Sequence, residues 1–206
     1  MHDRTIKDFL EELAARVPAP GGGAAAALHA AQGAALVGMV ARYSTGEKYA
    51  EHQETVERII AESDELRAAA LRLAEDDATA FTAVADAYKL PRATDEEKAA
   101  RSAAIAVSLI GAGRPPAAVI ALAERVVVLA AELLPVGNPN VISDVAAASE
   151  AARAAATTAR VNVEINLSGI RDEQARAELG AAAGAVDDIA ALAGHVTEAV
   201  RKQIAK

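Results

Sequence analysis

The chain has 206 residues, 52% of them hydrophobic but only 2% aromatic, with no Trp and no Cys. Its 21 Lys and Arg stand against 29 Asp and Glu, a net charge of -8. That length suits one domain over 1–206 with a substantial core. The acidic balance leaves no basic footprint for nucleic acid, and the lack of Cys excludes disulfides and thiolate chemistry.

Met1-His2-Asp3-Arg4 leads into a helical pattern with no secretory signal, which together with the missing Cys points to a cytoplasmic protein. Thr5-Ile6-Lys7-Asp8 reads as a capping box with Asp in place of Glu, and Ile6, Phe9, Leu10 and Leu13 follow at helical spacing. This first helix is expected to end near Val17. Pro18-Ala19-Pro20-Gly21-Gly22-Gly23 is a loop, and a second helix over about 24–43 carries almost no charge before Arg42. A helix apolar on all sides belongs inside a bundle or at a subunit interface. After an interruption at 44–49, a long amphipathic pattern fills 51–88. It would reach roughly 55 Å unbroken, so a bend or break is expected. Its apolar stripe includes Val56, Ile59, Leu66, Leu73, Phe81 and Val84.

Thr94-Asp95-Glu96-Glu97 caps the next helix, expected to stop near Gly111. Gly113-Arg114-Pro115-Pro116 then reads as a turn into a separate apolar helix that ends near Leu134-Pro135. Gly137-Asn138-Pro139-Asn140 is a polar loop, followed by a helix over 142–167 and a final helix from Asp172 onward. Val161 to Asn166 alternates like a strand but continues an alanine-rich helix, and is read as helical. The sum is an all-α bundle of about six to seven helices. Alanine supplies much of its core, and each alanine buries little area, so further contacts from a second subunit are expected. The longest apolar runs are broken by Arg, Glu or Gly, which predicts no membrane span.

Three features could carry chemistry. The first is the glycine loop: glycines permit close approach to the backbone, and the first turn of the next helix presents unpaired amides. A polar or anionic ligand satisfies them, and so does a tight interhelical turn. No Gly-Lys-Ser/Thr follows, so this is not a nucleotide-binding loop of that kind. The second is asparagine, poor inside helices yet present at Asn138, Asn140, Asn162 and Asn166. Asn162 and Asn166 share a helix face. Asn138 and Asn140 can equally be turn formers. The third is a set of ionisable groups. Asp144, beside Ser143, is either a helix cap or a carboxylate facing a pocket. Asp77, beside Asp76, is a solvated face or an acid/base group if it lies in a cleft. Lys48 is a solvated loop residue or an anchor for an anionic tail. His2, His29, His52 and His195 show no metal-binding spacing.

Several segments in order resemble the cyclodeaminase/cyclohydrolase family, which includes methenyltetrahydrofolate cyclohydrolase and the C-terminal domain of formiminotransferase-cyclodeaminase. They are residues 5–10, Pro18 to Gly23, Gly46-Glu47-Lys48-Tyr49, Asp77-Ala78-Thr79-Ala80-Phe81, Leu90-Pro91 with 94–98, 137–144 and 162–167. Two segments depart: Glu47 and Lys48 stand where the family often has three lysines, and Arg114-Pro115-Pro116 replaces a Val-Pro-Leu segment.

The resemblance implies an all-helical homodimer with a folate cleft near the subunit interface and no metal or redox cofactor. It further implies that the loops around Pro20, Gly21, Gly22 and Gly23, around Asn138, Asn140, Ser143 and Asp144, and around Asn162 and Asn166 converge on one pocket. The expected activity is hydrolysis of 5,10-methenyltetrahydrofolate to 10-formyltetrahydrofolate. The alternatives are a formimidoyltetrahydrofolate cyclodeaminase that releases ammonia and a non-catalytic folate-binding dimer. Asp144 is the candidate for orienting the pterin or water, Lys48 for donating a proton or anchoring the tail, and Asp77 for acid/base work. The asparagines would hold the ring and the glycines would supply close backbone approach.

Overall fold

The computed structural model describes residues 5–205. Residues 1–4, with His2 and the leader reading, and Lys206 lie outside it. The described residues form seven α-helices and no strand. The all-α expectation holds, and 161–166 is helical.

Helix α1, Ile6–Leu13, opens with the expected capping box: the Asp8 amide donates to Thr5 Oγ1 at 3.1 Å and the Thr5 amide donates to Asp8 Oδ2 at 3.3 Å. It ends short of Val17. Pro18 and Pro20 supply no amide hydrogens and restrict the residues before them, so 14–20 forms a bent connection. Helix α2, Gly22–Arg42, is buried nearly all round, with Ala24, Ala26, Ala27, Ala30, Val37 and Val40 closed to solvent. It is long and apolar enough to cross a bilayer, as is the stretch Glu173–Ile204, but α2 runs through the centre of the bundle with most of its length buried.

Helix α3, Gln53–Lys89, follows a 3-10 turn over Glu47–His52 and runs unbroken for 37 residues, against the expected break. Helix α4, Asp95–Leu133, starts at the Thr94 capping box and continues for 39 residues straight through Pro115 and Pro116. The expected turn and two-helix division are therefore corrected. Two interior prolines each remove a helical hydrogen bond, normally a cost of about 3 kcal/mol. Here both rings are buried, and a side chain of another helix answers the carbonyl that Pro116 frees.

Helix α5 is Ser143–Leu167, and the single final helix expected from Asp172 is two: α6, Glu173–Gly184, and α7, Val186–Ile204, parted at Ala185. Asp172 caps α6 through the Ala175 amide at 2.7 Å. Neither Ser143 nor Asp144 caps α5, because a 3-10 turn over Pro139–Val141 feeds it through Ile142, already in helical geometry.

Long-range partners fix the topology. Gly23 meets Asp77 while Gly38 meets Ser63, so α2 and α3 are antiparallel. Arg125 reaches Glu62 at 2.7 Å and Arg101 reaches the Tyr88 carbonyl, so α3 and α4 are antiparallel. Gly33 lies on Ala148 and Gly22 near Asn162, and Asn166 bonds Ala112, which sets α5 against both α2 and α4. The result is an up-down four-helix core with α7 laid along α5 and α6 against the α4–α5 end. Small residues set its spacing: a Cβ on Gly33 would stand 3.0 Å from the Ala148 carbonyl oxygen.

Helices α3 and α4 outrun α2 and α5. Residues 78–89 of α3 pass beyond the start of α2 by roughly 18 Å at 1.5 Å per residue. Phe81, read as part of the buried stripe, stands on this overhang and is 50% exposed.

Candidate functional site

A cleft of about 490 Å³ opens where α2 begins, between the overhang of α3, the middle of α4 and the end of α5. Its floor is polar: the backbone of Gly21, Gly22 and Gly23 with Asp77, Asn162 and Asn166. Its walls are apolar, from Phe81, Val84, Tyr88, Leu109 and Ile165, and Pro18 and Ala19 form a lip. Pro20 lies in the same loop, after a cis Ala19–Pro20 peptide. Asp77, Phe81, Val84 and Tyr88 fall at i, i+4, i+7 and i+11, one stripe of α3. Phe81 and Val84 read as core from their spacing, because nothing local tells where α2 stops covering α3.

Helix α2 starts at Gly21 without a side-chain cap of its own. Asp77 of α3 takes that place and accepts the Ala24 amide. The approach depends on Gly23, since a Cβ there would fall on the Asp77 carboxylate. A helix N-terminus favours a negative charge. Even so, burial pushes the Asp77 carboxyl above its usual range, and the Ala24 hydrogen bond offsets this only in part. A carboxylate moved toward neutrality, at the bottom of a cleft, is suited to take up and return a proton.

The two asparagines are held by helix carbonyls. Asn162 Nδ2 donates to the Thr158 carbonyl at 2.9 Å, and its amide stands 3.5 Å from where a Gly22 Cβ would be. Asn166 Nδ2 donates to the carbonyls of Asn162 at 2.8 Å and Ala112 at 3.3 Å. These bonds turn nitrogen to protein and leave oxygen as an acceptor. A flat heterocycle with polar edges and apolar faces matches such a lining.

The other named residues gather elsewhere. Asn138, Asn140 and Lys48 lie at the far end of α2, about 30 Å away along the helix. There the Asn138 amide donates to buried Ser44 Oγ at 2.8 Å, Asn138 Nδ2 donates to the Tyr43 carbonyl at 2.9 Å, and Asn138 Oδ1 accepts the Asn140 amide at 3.0 Å. Asn138 thus does the turn-forming work of its loop. Gly46, at φ 95°, starts the turn that carries Lys48, whose Nζ lies 5.4 Å from the Tyr49 ring centre. Lys48 and Ser143 are exposed and Asp144 is half-buried. A second recess of about 320 Å³ adjoins them, lined by Ser44, Gly46, Glu47, Tyr49, Gln53 and Glu57. Within a single chain, then, the expected one pocket is two groups at opposite ends of α2. Among the described residues no group of three or more His, Asp or Glu side chains is gathered to hold a metal ion.

Comparison with known proteins decides the family. The model of the family described as formiminotransferase-cyclodeaminase matches residues 5–185. The chain belongs to this family. A methenyltetrahydrofolate cyclohydrolase of Methylorubrum extorquens is 40% identical over 205 residues, 98% of each chain. The formimidoyltransferase-cyclodeaminase of Mus musculus is 37% identical over 175 residues, 83% of this chain but 32% of that protein. The solved structure of a formiminotetrahydrofolate cyclodeaminase from Thermotoga maritima superimposes with a TM-score of 0.82 at 29% identity, covering 98% of this chain and 96% of that one. These relatives are enzymes of folate chemistry, and this family member is an enzyme by the same relation.

Proposed function

We propose that the protein is a methenyltetrahydrofolate cyclohydrolase, a C–N hydrolase acting on a cyclic amidine, and that its chemistry takes place in the cleft at the start of α2. The observation that carries this reading is the Asp77 carboxylate seated on that helix start, between two asparagine acceptors and an apolar slot. The whole-length likeness to a protein named for this activity supports it.

The substrate is a cationic amidinium whose carbon bridges N5 and N10. Asp77 takes one proton from water as its oxygen bonds to that carbon, giving a neutral carbinolamine. The C–N5 bond then breaks, its electron pair stays on N5, and Asp77 returns the proton there. The hydroxyl proton leaves to solvent as the formyl C=O forms on N10, so one proton is released overall. An acid/base group placed this way contributes about 10²- to 10⁴-fold. Phe81, Tyr88 and Ile165 enclose the ring faces, while Asn162 and Asn166 accept from ring N–H donors.

The second group, Lys48, Asn138, Asn140, Ser143 and Asp144, joins this reading through a homodimer. A two-fold pairing across the one stripe of α2 that the bundle leaves open, with Ala25, Leu28, Gln32 and Ala35, sets that stripe antiparallel to its copy and brings the far end of one protomer to the cleft of the other. Lys48 then anchors the anionic tail and Asp144 orients the pterin or the water. A cyclodeaminase reading is favoured by the Thermotoga maritima relative. There N10 attacks a formimino carbon and ammonia leaves. Incubation with each substrate separates the readings: loss of the methenyl absorbance above background supports hydrolysis, and ammonia from 5-formiminotetrahydrofolate without it supports the alternative. Binding with neither turnover contradicts both.

A further inference from the structure

The residue at position 116 is a proline in the middle of a 39-residue helix, and its consequence lies on the cleft side. In a continuous helix the amide of residue 116 would donate to the carbonyl of Ala112. Pro116 has no such hydrogen, so that carbonyl needs another donor. It finds Asn166 Nδ2 of α5 at 3.3 Å. The second hydrogen of the same NH2 goes to the Asn162 carbonyl at 2.8 Å. An amide has two N–H donors and one oxygen acceptor, so both donors are spent. Only Oδ1 is left to face the cleft, where Asn166 and Ala112 both form part of the lining.

We propose that Pro116 is a positioning residue: by withholding an amide hydrogen from the Ala112 carbonyl it fixes the Asn166 side chain, and so makes Asn166 a dedicated acceptor for a ligand N–H. The ligand half of this inference rests on the folate reading above, since a reduced pterin carries ring N–H and exocyclic NH2 donors. The positioning half stands on the helix geometry alone. Pro115 is the internal comparison. It is also buried and also removes an amide, but the carbonyl it frees is that of Gly111, which Asn166 does not touch.

The test uses the full-length protein with Pro116→Ala and Pro115→Ala in parallel. The first readout is the side-chain NH2 signal of Asn166 in a ¹H–¹⁵N spectrum, assigned by its loss in Asn166→Leu. Pro116→Ala returns a donor to the Ala112 carbonyl and is expected to shift that signal, while Pro115→Ala leaves it in place. The second readout is the steady-state KM for 5,10-methenyltetrahydrofolate. One weakened hydrogen bond predicts a rise of about threefold to tenfold in Pro116→Ala with kcat little changed. Pro115→Ala keeps the wild-type KM. An Asn166 signal that stays put in Pro116→Ala, or moves equally in both variants, overturns the positioning role. An unchanged KM alongside a shifted signal overturns the acceptor role. If wild type leaves methenyltetrahydrofolate untouched while the signal moves in Pro116→Ala alone, the functional reading fails and the positioning stands.

Discussion

Replacing Gly23 by alanine separates the cleft's chemistry from the bundle's stability. The new methyl falls on the Asp77 carboxylate, so Asp77 must swing away and release the Ala24 amide. Three effects set the stability. Alanine in place of a helical glycine gains about 0.5–1 kcal/mol. Loss of a hydrogen bond to a charged acceptor costs about 1.5–3 kcal/mol. Return of a partly buried carboxylate to water recovers part of that cost, because burial held its pKa up. The net change is within about 1.5 kcal/mol, or a few degrees in Tm for a chain of this size. Activity follows a different scale: without its acid/base group the cleft loses about 10²-fold or more. Thermal unfolding followed by circular dichroism, together with the rate of methenyl absorbance loss, measures both. Gly194→Ala, in α7 with open space at its Cβ position, serves as the comparison and keeps full activity. Turnover within about threefold of wild type in Gly23→Ala would refute the claim that Asp77 works from the start of α2.

Asp77→Asn is expected to stabilise the protein at neutral pH, because it removes a desolvated charge and keeps an acceptor for Ala24. The sign follows from linkage: a carboxyl with its folded pKa raised binds protons more tightly when folded. Wild-type stability therefore falls as pH rises from the ordinary carboxylate pKa through the raised one, and denaturant titrations of Asp77→Asn lack that fall. Phe81→Ala and Tyr88→Ala, on half-exposed walls, are expected to raise KM severalfold with Tm nearly unchanged. Equal KM values would remove the overhang of α3 from the site. Mixing and refolding Asp77→Asn with Asp144→Asn tests the shared site. A heterodimer of the two variants contains one intact site, so about a quarter of wild-type activity returns if each site draws on both protomers. No recovery argues that Asp144 acts within its own chain, and full activity of Asp144→Asn by itself argues that it does not act at all.

The helix starts were legible because capping is local: Thr5 with Asp8, and Thr94 with Glu97, form the boxes their spacing announces. Ser143 and Asp144 misled because a 3-10 turn was already feeding α5, which leaves no extended cap position. Pro115-Pro116 reads as a stop for the same local reason. What keeps α4 running is tertiary: buried rings, and Asn166 of another helix on a freed carbonyl. Asp77 looked ordinary beside Asp76, because only the antiparallel register of α2 and α3 puts it under Gly23. The asparagine pair at 162 and 166 was visible as polar intrusions on an apolar face, and it does line the cleft. The distance between the two groups of motif residues could not be read, since loops adjacent in a list of motifs lie at opposite ends of α2.

The most direct test follows the methenyl chromophore under saturating 5,10-methenyltetrahydrofolate with wild type and with Asp77→Asn at equal concentration. Wild type is expected to show decay well above the uncatalysed rate, with 10-formyltetrahydrofolate as product, and the variant a rate at least about 100-fold lower. Comparable decay by both proteins would contradict the acid/base role of Asp77.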